Sequence, residues 1–137
     1  PFEEEDEMEK KSILLVEDED NIAFALEILI GRMGHSLRRV DDGDAALAAL
    51  EEGPIDVIVL DIMLPGIDGY EVCQKIRKNP EFNHIKIIFI SAMTRSIDVA
   101  KGMALSADEY ITKPFSTKDV VGKIKTLLEG NPDVPGK

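Results

Sequence analysis

Short apolar runs alternate with amphipathic segments along the chain. Ile13-Leu14-Leu15-Val16, Val57-Ile58-Val59-Leu60 and Ile87-Ile88-Phe89-Ile90 are continuous apolar runs, the pattern of parallel strands covered on both faces. Ser36 to Val40 is a poorer strand, and Arg38 and Arg39 within it suit a sheet edge. A short fifth strand is predicted around Glu109 to Thr112, running into Lys113-Pro114. The intervening segments have helical spacing. Asp20 is the expected N-cap of a helix carrying Ile22, Leu26, Leu29 and Met33, with Gly34 as its C′ residue. Asp42, Gly43 and Asp44 precede a second helix with Ala46, Leu47 and Leu50, which Gly53-Pro54 stops. Pro65-Gly66 reads as a turn. Asp68 with Glu71 then opens a third helix whose buried stripe is Val72, Cys73 and Ile76, ended by Asn79-Pro80. The fourth helix, from about Arg95 to Ala104, has Ile97, Val99, Ala100 and Met103 as apolar positions. Ser116 with Asp119 opens the fifth, lined by Val120, Ile124, Leu127 and Leu128.

Five strand-then-helix units without internal repeats predict an α/β fold, a doubly wound (βα)5 arrangement with helices on both faces of a parallel sheet. The strand order that fits is 2-1-3-4-5, the flavodoxin-like three-layer sandwich. It centres the first and third strands and leaves the arginine-bearing second strand at an edge. In such sheets ligands bind beyond the carboxyl ends of the strands, at the switch point between the first and third.

Composition narrows the class. A chain of 137 residues, 44% hydrophobic and 31% charged, is one ordinary globular domain. Cys73 is the single cysteine, so no intrachain disulfide forms. No apolar run approaches the ~18 residues of a membrane span. The first ten residues hold six acidic side chains against Lys10, the opposite of a secretory n-region. A cytoplasmic location is expected. The net charge of −11 argues against nucleic-acid binding by the domain itself, because phosphate neutralisation needs clustered lysine and arginine. The expected organisation is an acidic flexible leader over 1–10, a domain over 11–130 and a tail or linker stub over 131–137. That domain is either free-standing or a piece of a longer protein.

The chemistry collects just past the strand ends. The first strand delivers Glu17 and Asp18, the third Asp61, the fourth Ser91 and the fifth Lys113. Three carboxylates in one place repel one another and need a counter-charge. An oxygen-only ligand set with room for water suits Mg²⁺. With a cation present, Asp61 is a candidate carboxylate nucleophile for a phosphoryl group, whose oxygens the metal, Lys113 and the Ser91 hydroxyl would share. Taken singly, Asp18 to Asp20 could be a solvated turn and cap, Asp61 a turn cap and Lys113 a surface lysine. Their joint placement is what carries the reading. His35 and His84 lie away from this end and read as surface or loop residues.

Four stretches together resemble the receiver domains of two-component response regulators: LLVEDED (14–20), VLDIMLPGIDG (59–69), ISA (90–92) and DEYITKPF (108–115). The resemblance covers about residues 11–130. It implies a phosphoprotein of signal transduction rather than an enzyme, one that assists its own phosphorylation and dephosphorylation. Asp61 would be the phosphoacceptor. Glu17, Asp18 and Asp61, with the backbone carbonyl of Met63, would hold Mg²⁺. Lys113 would be the phosphate partner, and Ser91 and Tyr110 the switch pair, with Tyr110 turning inward on phosphorylation. Lys113-Pro114 is expected to be a cis peptide, since an X–Pro bond has only a small trans preference. The implied partners are a histidine kinase or histidine phosphotransfer protein within a phosphorelay and an unknown downstream protein, with a homodimer possible on phosphorylation. Receivers carry Asp or Glu where Glu17 stands. Ser106 occupies a position where glycine is common, which concerns only the local loop.

Rival classes fit the residues less well. A flavin-binding protein needs a neutral phosphate-cradling loop after its first strand, and Glu17 to Asp20 would repel phosphate. A haloacid-dehalogenase-like phosphatase needs a second Asp two residues after the nucleophile, where Met63 stands and cannot transfer protons. A nucleotide switch needs GxxxxGK[ST], which is absent. A degenerate receiver that binds partners without phosphorylation is the alternative within the family.

Overall fold

A computed structural model describes residues 10–129. Its elements run β1 (Ser12–Val16), α1 (Asp20–Arg32), β2 (Ser36–Val40), α2 (Gly43–Glu52), β3 (Val57–Asp61), α3 (Gly69–Lys78), a 3-10 turn (Pro80–Phe82), β4 (Lys86–Ser91), α4 (Ser96–Ala104), β5 (Glu109–Thr112) and α5 (Thr117–Glu129). The five strands form one sheet in the order β2-β1-β3-β4-β5, and every pairing is parallel. The leader, apart from Lys10, and the tail lie outside the described residues. Among the described residues no helix is long and apolar enough to cross a membrane.

Strand residues alternate between two cores because successive side chains leave opposite faces of the pleat. Leu14, Val16, Ile58, Leu60, Ile87 and Phe89 face α2, α3 and α4. Ile13, Leu15, Val57, Val59, Ile88, Ile90 and Ile111 face α1 and α5 through Leu26, Ile30, Val120 and Ile124. All five β3 residues are buried, as a central strand requires. β2, at the edge, has no fully buried residue.

One local expectation is corrected. Asp20 is the first residue of α1, not its cap; Glu19 takes the N-cap position without a side-chain cap bond. The reason is competition, because Arg39 on β2 engages the Asp20 carboxylate at 2.9 Å. In α4 the apolar positions do not form a buried stripe: Ile97 and Met103 are 68% and 43% exposed. The buried residues of α4 are Asp98 and Gly102. A Cβ on Gly102 would come within 2.9 Å of the Phe89 ring, so α4 approaches the sheet through its glycine.

Candidate functional site

The carboxyl ends of β1 and β3 meet at the centre of the sheet, with Val16 paired to Leu60. Asp61 ends β3 with 3% exposure. Its Oδ1 accepts from the Met63 N–H at 3.1 Å, which fixes the carboxylate against its own loop. That loop turns through Gly66, at φ 76°, and folds back so that the Gly69 N–H donates to the Ile62 carbonyl at 2.8 Å. A Cβ on Gly69 would collide with the Asp61 carbonyl and lie 2.7 Å from Ile62 Cα. Glycine is required there by this close backbone approach.

Glu17, beyond β1, is fully buried. Its Oε2 accepts from the Glu19 N–H at 3.1 Å. Burial pushes its carboxyl up to about 6, against the opposing pull of Lys113 and the Glu19 N–H. Lys113 enters from the end of β5 and places Nζ 3.0 Å from Glu17 Oε1, 3.1 Å from Asp61 Oδ2 and 3.6 Å from Glu19 Oε1. Burial works against the ammonium, but Glu17 and Asp61 more than offset it and hold Lys113 above the ordinary lysine range. The contact with Glu17 Oε1 is one of charge rather than a directed hydrogen bond, and this oxygen has no hydrogen-bond partner among the described residues. The Lys113–Pro114 peptide is cis.

Asp18 is exposed beside this pair. One oxygen each from Glu17, Asp18 and Asp61 can be chosen so that all lie within 4.8 Å of one another. A buried carboxylate oxygen lacking a directed donor, in an all-oxygen set, fits a hard divalent cation.

Ser91 ends β4, is fully buried, and its Oγ accepts from the Met93 N–H at 3.1 Å. Tyr110, on the neighbouring β5, is buried, and its hydroxyl donates to the Met93 carbonyl at 2.6 Å. The inward ring position expected to follow phosphorylation is therefore the one this structure holds. The ring fits because Gly102 of α4 leaves room beside it and Phe89 flanks it, with centroids 6.1 Å apart.

Sequence reading missed Arg39. Its guanidinium donates to the Glu17 carbonyl at 3.0 and 2.7 Å while also engaging Asp20. It thus clamps the acidic β1–α1 loop in place and supplies positive charge at its outer edge. The signal was present: parallel pairing sets Arg39 opposite Leu15, near the acidic end of β1. Arg38 instead pairs outward with Glu52 at 2.6 Å. His35 accepts from the Lys11 N–H at 3.1 Å at the opposite end of the strands, and His84 is exposed.

A five-stranded parallel sheet in the order 2-1-3-4-5, with an acidic triad at its central carboxyl ends and a lysine reaching in from the edge strand β5, is the architecture of a signalling receiver. Residues 13–125 match the family described as the response regulator receiver domain. The chain belongs to that family. It is 36% identical over 122 residues to the sensory transduction protein RegX3 of Mycolicibacterium smegmatis, covering 89% of this chain and 52% of that protein. The chain thus spans about half the length of this curated relative. A crystal structure of a putative response regulator from Chloroflexus aurantiacus superposes with a TM-score of 0.84 at 30% identity, over 88% of this chain and 98% of that one. The receiver domain of the sensor histidine kinase PA1611 from Pseudomonas aeruginosa, described with a magnesium ion coordinated in its active-site cleft, superposes with a TM-score of 0.80 at 26% identity, over 88% and 98%.

Proposed function

We propose that Asp61 accepts a phosphoryl group from a phosphohistidine on a kinase or phosphotransfer protein. The observation that carries this is the Asp61 carboxylate itself, held by the Met63 N–H on one oxygen and by Lys113 on the other, 3.1 Å in each case. A carboxylate oxygen attacks phosphorus, the P–N bond to the donor breaks with its electron pair going to nitrogen, and the imidazole leaves neutral, keeping the proton already on its other ring nitrogen. The product is an aspartyl phosphate. Glu17, Asp18, Asp61 and the Met63 carbonyl are the residues that would hold Mg²⁺, which supplies charge neutralisation for the transferred oxygens. The magnesium described in the similar Pseudomonas receiver supports this assignment.

Lys113 and the Ser91 hydroxyl then donate to the phosphoryl oxygens, because hydrogen bonds to ionised acceptors are stronger than neutral ones. The same groups orient the water that later hydrolyses the acyl phosphate, so the domain assists both of its own reactions. Phosphorylation holds Ser91 toward the phosphoryl group and Tyr110 inward, and so sets the surface of α4, β5 and α5 for a downstream protein or a second copy of the chain. The domain over 11–130 is the switching unit, and any nucleic-acid contact belongs to sequence beyond it.

Acetyl phosphate with Mg²⁺ is the test. Intact mass should rise by one phosphoryl group in the wild type and remain unchanged in Asp61→Asn. A phosphorylated Asp61→Asn protein would identify a different acceptor and overturn the assignment.

A further inference from the structure

Tyr70 is not used by the site, yet it links that site to α4. It directly follows Gly69, whose backbone is locked against the Asp61–Ile62 peptide. Its ring is buried at 7% exposure and stands edge-on to Phe89, with centroids 5.6 Å apart and planes at 71°. Its hydroxyl donates to the Asp98 carbonyl at 3.2 Å, in the first turn of α4. Nζ of Lys101, one turn further along, lies 4.4 Å from the ring centroid.

α4 has a narrow apolar grip, since Val99 and Leu105 pack against the core while Ile97 and Met103 face outward. A small number of directed contacts adds to that packing. Tyr110 bonds the Met93 carbonyl ahead of the helix, and Tyr70 bonds the Asp98 carbonyl within it. Both tyrosine rings pack against Phe89, at centroid distances of 5.6 and 6.1 Å. Any shift of the β3–α3 loop that moves Gly69 must also move Tyr70, and with it the first turn of α4.

We propose that Tyr70 is a positioning residue that couples the Asp61 loop to α4, in parallel with Tyr110. The proposal rests on the reading of Asp61 as phosphoacceptor. The arrangement in which both tyrosines grip α4 is the one with Tyr110 inward, so weakening the Tyr70 grip disfavours the phosphoryl-bound state. Coupling of this kind is reciprocal: what loosens α4 weakens phosphoryl-analogue binding at Asp61 by a matching factor.

The experiment compares wild type with Tyr70→Phe, which keeps the ring and its Lys101 contact and removes only the hydroxyl. Tyr70→Leu removes both contacts. Beryllofluoride with Mg²⁺ is titrated by fluorine NMR, and amide hydrogen exchange is followed across α4 and, as a control, β1 and β3. Loss of one neutral hydrogen bond predicts about fivefold faster exchange in α4 and about fivefold weaker beryllofluoride binding for Tyr70→Phe. Both effects should be larger in Tyr70→Leu, with the central strands unchanged. Faster α4 exchange with unaltered beryllofluoride affinity would reduce Tyr70 to a structural prop and overturn the coupling, as would no change in either. Failure of the wild type to bind beryllofluoride would refute the Asp61 reading before any substitution is made, and the coupling with it.

Discussion

Replacing Lys113 with methionine keeps most of the apolar stem and removes the charge that Glu17 and Asp61 share. Nζ lies 3.0 and 3.1 Å from their carboxylates. At an effective dielectric of ~20, each contact is worth roughly 5 kcal/mol before desolvation. Most of that is offset by the cost of burying the ammonium, so the net loss is far smaller. Glu17 also has an escape, since it can take up a proton. With its carboxyl at about 6, neutralising it at about pH 8 costs roughly 2.7 kcal/mol and at about pH 6 close to nothing. That difference bounds the part of the loss due to Glu17. The sign follows from linkage. Removing the lysine raises the Glu17 pKa further, and a raised acid loses its stabilising contribution as pH rises through the folded value. Lys113→Met should therefore be destabilised by about 2–4 kcal/mol at about pH 8 and by clearly less at about pH 6. Urea unfolding with chelator at both pH values measures this. Adding Mg²⁺ should stabilise the variant more than the wild type, because the cation no longer competes with an ammonium. A cost below about 0.5 kcal/mol at the higher pH, or an equal cost at both, would refute the charge argument.

Three further outcomes are expected. Mg²⁺ affinity, read by calorimetry, should fall up to about tenfold per pH unit once pH drops below the Glu17 value of about 6, because Glu17 must ionise before it faces a cation. Ser106 holds φ 73° at the C-terminus of α4, and its N–H and carbonyl partners, Met103 and Arg77, are reached by backbone alone. Ser106→Gly should therefore raise stability by about 0.5–1 kcal/mol in denaturant melts. Gly69→Ala should cost about 1–3 kcal/mol and weaken Mg²⁺ binding, since the added carbon meets backbone that cannot swing aside. Unchanged binding in that variant would show that the Asp61 loop is not seated by Gly69.

The fold was legible because a doubly wound sheet leaves a strong pattern. Apolar runs such as 57–60 and 87–90 are buried on both faces, and Arg38 and Arg39 mark the edge strand. The acidic triad and Lys113 were legible for a topological reason: parallel strands in this order deliver their carboxyl ends to one edge of the sheet. What failed did so through tertiary competition. Asp20 has the chemistry of a cap, yet an arginine from another strand engages its carboxylate. Ile97 and Met103 have core chemistry, yet α4 docks through Val99, Gly102 and a buried Asp98 paired with Arg95 at 2.9 Å. Periodicity reads the apolar residues of a helix and cannot see that a missing side chain decides which face approaches the sheet. The Tyr110 ring position was not readable, because it rests on the Met93 carbonyl and on the room left by Gly102, both set by tertiary packing.

The shared lysine gives the site its logic on the proposed reading. One ammonium serves two carboxylates that come from strands far apart in sequence, and it donates a hydrogen bond only to Asp61. Glu17 Oε1 keeps a charge contact without a directed donor, and its carboxyl stays well above the usual range. A phosphoryl group on Asp61 presents more negative charge than the carboxylate it replaces, and so draws Lys113 away from Glu17. Glu17 is then left to a cation or, at lower pH, to a proton. Cation and phosphoryl group therefore favour each other through Lys113, without any movement of the central strands. On that reading the movement falls to the Ser91 hydroxyl, the Tyr110 ring and α4. A rigid sheet with a packed apolar core on each face fixes where the charges meet. A helix with two outward-facing apolar residues and a glycine at its contact is what such a small redistribution of charge can shift.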